Sequence, residues 1–108
     1  MITAQYIAVV NAGAYVFNFS VQWLDSNGQW KTSEWNSGNY PVGQNRKSPS
    51  LDTIGVPSDA VVVTPYGHAV LGSSAQGTPF VQFAMNGQTA TYNATGTTII
   101  GFAITLIG

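Results

Sequence analysis

Polar and apolar residues alternate with a period of two along most of the chain, the spacing of half-buried β-strands. The clearest run is Tyr15–Leu24, where Phe17, Phe19, Val21 and Trp23 share one parity and Asn18, Ser20 and Gln22 the other. Asp25-Ser26-Asn27-Gly28 follows it. Asn-Gly supplies the positive φ angles of a tight hairpin turn, so Gln29–Trp35 is expected to return as the partner strand. Asn86-Gly87 predicts a second hairpin between Phe80–Met85 and Gln88–Asn93. Ile2–Val10 reads as a first strand and Ser50–Ile54 as a short one. Ala60–Thr64 and Tyr66–Leu71 read as two pieces divided by Pro65, which has no N–H for a ladder. Thr97–Ile107 is apolar on both parities and is expected to be a central strand. No segment carries a capped helical stripe.

About eight short strands at this spacing predict one all-β domain over residues 1–108. The expected architecture is an antiparallel β-sandwich, with a small β-barrel as the alternative. The expected core is Phe17, Phe19, Val21, Trp23, Val61, Val63, Val70, Phe83, Ile100, Phe102 and Ile104, or their strand neighbours.

Charge changes the picture most. Asp, Glu, Lys and Arg make up 6% of the chain, against roughly 25% in ordinary soluble domains. All of them lie between Asp25 and Asp59, and the only later ionisable group near neutral pH, apart from the carboxyl end, is His68. Three basic residues do not neutralise a run of phosphates, so nucleic acid is not an expected partner. Enzyme chemistry is not expected either. The chain has one histidine and no cysteine, and Glu34 has no obvious partner carboxylate. No metal-ligand spacing, phosphate-cradling loop or nucleophile elbow is present, so neither a metal nor another cofactor is implied. Met1-Ile2-Thr3-Ala4-Gln5 lacks the basic start of a signal peptide. The apolar run at Ile99–Ile107 is shorter than the ~20 residues of a membrane-spanning helix. Cytoplasmic synthesis, or release without a signal peptide, is therefore the expected location.

The richest binding signal lies in Trp30–Lys47. Flat aromatic faces stack on the C–H groups of neutral sugars while amides and charges bridge the hydroxyls, and Trp35, Asn36, Asn39, Tyr40, Gln44 and Arg46 supply both. Trp30 and Trp35 have opposite parity on their strand, so one regular face does not bury both. Trp35, beside the polar loop, is the one expected to be open. The leading expectation is a non-catalytic, lectin-like protein binding a glycan or glycoconjugate. Trp and Tyr also settle in the headgroup zone of membranes, and the stretch after Asp59 is free of charge. A lipid surface is thus the second expected partner, and a self-assembling structural subunit is the third reading. In its composition and hairpin layout the chain resembles small, cysteine-poor β-sandwich lectins and lipid-binding cytolysins.

Low net charge favours association, and the segment from Ala60 onward has no lysine or carboxylate side chain to protect a sheet edge. A homo-oligomer is therefore expected, built on the outward set Ile99, Gly101, Ala103, Thr105 and Ile107 of the last strand.

Overall fold

A computed structural model describes residues 1–108. The chain forms β1 (Thr3–Ala4), β2 (Tyr6–Asn11), β3 (Phe17–Leu24), β4 (Trp30–Asn36) and β5 (Asn45–Lys47). A single 3₁₀ turn at Leu51–Ile54 precedes β6 (Val62–Ala69), β7 (Ser74–Gln76), β8 (Gln82–Phe83), β9 (Thr89–Thr95) and β10 (Ala103–Leu106). One sheet runs β10-β9-β2-β5 and the other β4-β3-β6-β7, with β1 and β8 as a short extra pair. This is the β-sandwich the alternation predicts. Pairing is antiparallel except for β2 with β9 and β1 with β8, which run parallel.

The core follows from parity. Phe17, Phe19 and Val21 of β3 turn inward toward Ile7 and Val9 of β2 and toward Ala90, Tyr92 and Ala94 of β9. The Phe17 ring meets Tyr40 edge-on at 5.7 Å and Phe19 meets Trp35 at 5.4 Å. Gly67 lies under this cluster: a Cβ there would overlap the Phe17 ring and Ile104 Cδ1. Gly67→Ala is therefore expected to destabilise the domain by about 1–3 kcal/mol, the usual cost of overpacking, measured as a lower midpoint in urea.

Several local expectations are corrected. Ser50–Ile54 is not a strand, because Leu51–Ile54 winds into the 3₁₀ turn and caps on Gly55 at φ 105°. Pro65 does not divide a strand: β6 runs through it, between β3 and β7. The reason is a substitution of donors. The Gly77 N–H donates to the Pro65 carbonyl at 2.8 Å, and the Thr64 hydroxyl donates to the Gly77 carbonyl at 2.6 Å, in place of the missing Pro65 N–H. Asn86-Gly87 does turn, with Gly87 at φ 74°, but it joins no hairpin. β8 pairs with β1, and both sides of β9 are taken by β2 and β10. The last strand is not central. β10 is an outermost strand, only Ala103–Leu106, and Ile99 and Gly101 lie in the preceding loop. The outward parity expected at Ala103 and Thr105 does hold. Among expected core residues, Val61 and Ile100 are exposed; neighbouring Val62 is buried in the place of Val61.

Burial leaves a mark on three tyrosines. It pushes the hydroxyls of Tyr15 and Tyr92 up to about 12 from their usual 10, and that of Tyr40 higher still, against the opposing pull of Arg46. In the unfolded chain these groups ionise near 10. Protons are then bound more tightly by the folded state, so this stabilisation is complete below pH ~10 and is lost as pH rises toward ~12. Alkaline titration followed by circular dichroism should show unfolding in that window, coincident with tyrosinate absorbance.

Candidate functional site

One end of the sandwich gathers four connections. The β2–β3 turn meets the β9–β10 loop where the Ala14 N–H donates to the Gly96 carbonyl at 2.9 Å. The β6–β7 turn joins them, with the Val70 N–H donating to the Val16 carbonyl at 2.9 Å and the Ser73 N–H to the Thr98 carbonyl at 3.1 Å. The loop after β4 closes the group through Gly43, whose N–H donates to the Asn11 carbonyl at 2.7 Å. Asn11 is fully buried beneath this end. Its amide donates to the carbonyls of Tyr15 at 2.8 Å and Tyr40 at 3.3 Å, and its oxygen accepts from the Gly13 N–H at 3.1 Å. The β9–β10 loop is held in turn by Thr97, whose hydroxyl accepts from the Ile100 N–H at 2.9 Å. Gly96 lies directly against the Gly101 backbone, leaving no room for a side chain.

What this scaffold presents is apolar. Leu71 is 96% exposed, Ile99 80% and Ile100 72%, with Val16 and Val42 also open to solvent. The four connections, 12–16, 37–44, 70–73 and 96–102, contain no Asp, Glu, Lys, Arg or His. Isolated exposed hydrophobes are ordinary; several on adjoining loops form a patch of the kind that marks an interaction surface.

Leu71 adds a second observation. It is the third residue of a turn closed by the Gly72 N–H to the Ala69 carbonyl, and its φ is 65°. It is the only non-glycine residue with positive φ. Turns with this geometry take Gly or Asn, and a branched aliphatic side chain there is strained by about 1–2 kcal/mol. Leu71 offsets none of that strain by burial. Leu71 is thus both strained and solvent-facing.

The residues singled out by composition are placed differently. Tyr40 is 1% exposed, paired with Phe17 in the sheet and donating its hydroxyl to the Val9 carbonyl at 2.7 Å, so neither ring face is open for stacking. Arg46 sits over the Tyr40 ring at 5.2 Å and donates to the Ser37 carbonyl at 2.6 Å. Trp35 is half-buried against Phe19. Asn36 and Asn39 belong to an amide network on the outer face of β3, both bonded to Asn18. Gln44 is exposed, and its backbone carbonyl accepts from the Asn11 N–H. Asn36 and Asn39 thus meet at Asn18, with Arg46 on the intervening Ser37 carbonyl, while the Tyr40 ring is enclosed.

The structure thus defines a β-sandwich with exposed apolar side chains at its loop end, whose four connections contain no charged residue of their own. No protein-family model matches the chain, and no curated protein matches it by sequence. Solved structures do resemble it in fold. Listeriolysin O matches at a TM-score of 0.50 and 16% identity over 94% of this chain, which corresponds to 22% of that protein. Pneumolysin matches at 0.49 and 13% identity, over 94% of this chain and 23% of its own. The membrane-binding domain of pneumolysin matches at 0.48 and 13%, over 95% of both chains. At these identities the likeness is one of fold. The chain spans under a quarter of the two whole toxins.

The sequence pattern does not mark Leu71 as a binding residue, places Ile100 in the core, and puts Ile99 in a subunit interface on a strand rather than on a loop. A signal was present: Thr97-Thr98-Ile99-Ile100 is bracketed by Gly96 and Gly101, a turn signature as readable as a strand.

Proposed function

We propose that this domain docks on a lipid surface without catalysis, entering the headgroup–acyl boundary with Leu71, Ile99 and Ile100. The observation that carries the proposal is the strained and almost fully exposed Leu71 beside two exposed isoleucines, on loops without a charged residue. Apolar side chains entering that boundary bind in proportion to the area they bury. The rival expectation, a glycan platform of Trp35, Asn36, Asn39, Tyr40, Gln44 and Arg46, has less support because Tyr40 is enclosed and Arg46 is engaged.

Co-sedimentation with phosphatidylcholine vesicles tests the reading. Leu71→Ser should weaken binding about tenfold, since fully burying a leucine is worth about 1.5 kcal/mol or more. Unchanged partitioning would remove the proposal. Because no charge lies on the contacting loops, neither added salt nor added anionic lipid should alter binding much.

Self-association belongs to the same proposal, through the outward Ala103, Thr105 and Ile107. Sedimentation at micromolar concentration should show an oligomer that Ala103→Arg dissociates while the circular dichroism spectrum is kept.

A further inference from the structure

A cleft of about 440 Å³ opens between β3, β4 and the 3₁₀ turn, and it shares no residue with the apolar end. Its walls are the half-buried indoles of Trp23 and Trp35. Trp23 stands at the inner parity of β3, and Gly55 follows the 3₁₀ turn so closely that a Cβ there would lie 3.5 Å from the Trp23 ring. Polar groups ring the opening. The Thr53 hydroxyl donates to the Ser50 carbonyl at 2.6 Å and keeps its lone pairs, while the Thr32 hydroxyl is turned to the opposite face of the sheet, where it accepts from Gln22 at 3.0 Å. Ser33 is spent internally, accepting from the Val21 N–H and donating to the Trp35 carbonyl. Glu34 is exposed at the cleft.

We infer that this cleft is a binding site for a neutral hexose. A pyranose offers a C–H face for an indole and a rim of hydroxyls that both donate and accept. The cleft answers with two indoles, the Thr53 acceptor and a carboxylate that takes paired hydroxyl protons. Its volume is in the range of small-ligand sites. A quaternary ammonium would use the indoles and Glu34 but not the Thr53 acceptor, and an acidic sugar would be repelled by Glu34. The inference does not depend on the lipid-docking proposal.

Titration of the ¹⁵N-labelled protein with methyl glucoside, methyl galactoside and methyl mannoside tests it, read at the three indole N–H resonances. The expected result is saturable shifts of Trp23 and Trp35 by at least one hexoside at millimolar concentration, with Trp30, which lies outside the cleft against Phe80 at 5.3 Å, unmoved. Glu34→Gln should weaken that binding about tenfold, the loss typical of a hydrogen bond to a charged group. Thr53→Val is a second exposed variant expected to weaken it by a smaller factor. Three outcomes overturn the inference: no shift with any hexoside, shifts confined to Trp30, or saturation by phosphocholine with the hexosides silent. Vesicle binding by Glu34→Gln should equal that of the unmodified chain, which separates a failure here from a failure of lipid docking.

Discussion

Replacing Leu71, Ile99 and Ile100 together by serine is expected to abolish binding to phosphatidylcholine vesicles while leaving the fold at least as stable as before. Each fully buried Leu or Ile contributes about 1.5–3 kcal/mol. Three at the low end give about 4.5 kcal/mol, or about a thousandfold in partitioning at 1.4 kcal/mol per factor of ten. The same side chains contribute almost nothing to the folded state, being 96%, 80% and 72% exposed. Leu71 lowers stability where it stands, at φ 65°. Leu71→Gly alone should therefore raise stability by up to about 1 kcal/mol by relieving the left-handed strain, while it weakens vesicle binding. Opposite signs for stability and binding at one residue are hard to obtain from a purely structural turn. If Leu71→Gly lowered the thermal midpoint and left binding intact, the turn would be structural and the proposal lost.

Asn11→Ala is expected to have the largest effect on stability of any polar substitution. Asn11 is fully buried and joins Gly13, Tyr15 and Tyr40 through its side chain. The domain holds no buried side-chain N or O without a partner, and this substitution would orphan the Gly13 N–H and the Tyr15 carbonyl at once, the Tyr40 carbonyl keeping the Phe17 N–H. Each buried unsatisfied group costs about 1–3 kcal/mol, so the sum is at least about 2 kcal/mol, a large part of the 5–15 kcal/mol typical of a whole domain. The damage should be directional. Asn11 holds the β2–β3 turn to the loop after β4, so hydrogen exchange should accelerate first at Gly13, Tyr15 and Tyr40. A loss under about 1 kcal/mol in urea unfolding would show that water replaces the amide and that the loop end has no such keystone.

The sequence by itself determined the features that depend on neighbours along the chain. The inward face of β3 is written in the alternation of Phe17, Phe19 and Val21. The Asp25–Gly28 turn is written in its own chemistry: the Asp25 carboxylate accepts from the N–H groups of Asn27 and Gln29, both at 2.9 Å. The absence of charge after Asp59 was equally plain. Tertiary structure decided what local pattern leaves open. Asn86-Gly87 turns as its residues require, but which strands pair is a long-range matter, and β2 takes the edge of β9 that a hairpin would have used. Tyr40 sits in a polar stretch, yet its pairing with Phe17 carries it into the core. In Thr97–Ile107 one apolar run serves two ends: Ile104 is buried in β10, and Ile99 and Ile100 are held out at the loop end. An apolar residue records only that water is a poor neighbour for it. Whether that neighbour is replaced by the protein's own core or by something outside is settled by where the chain places the side chain.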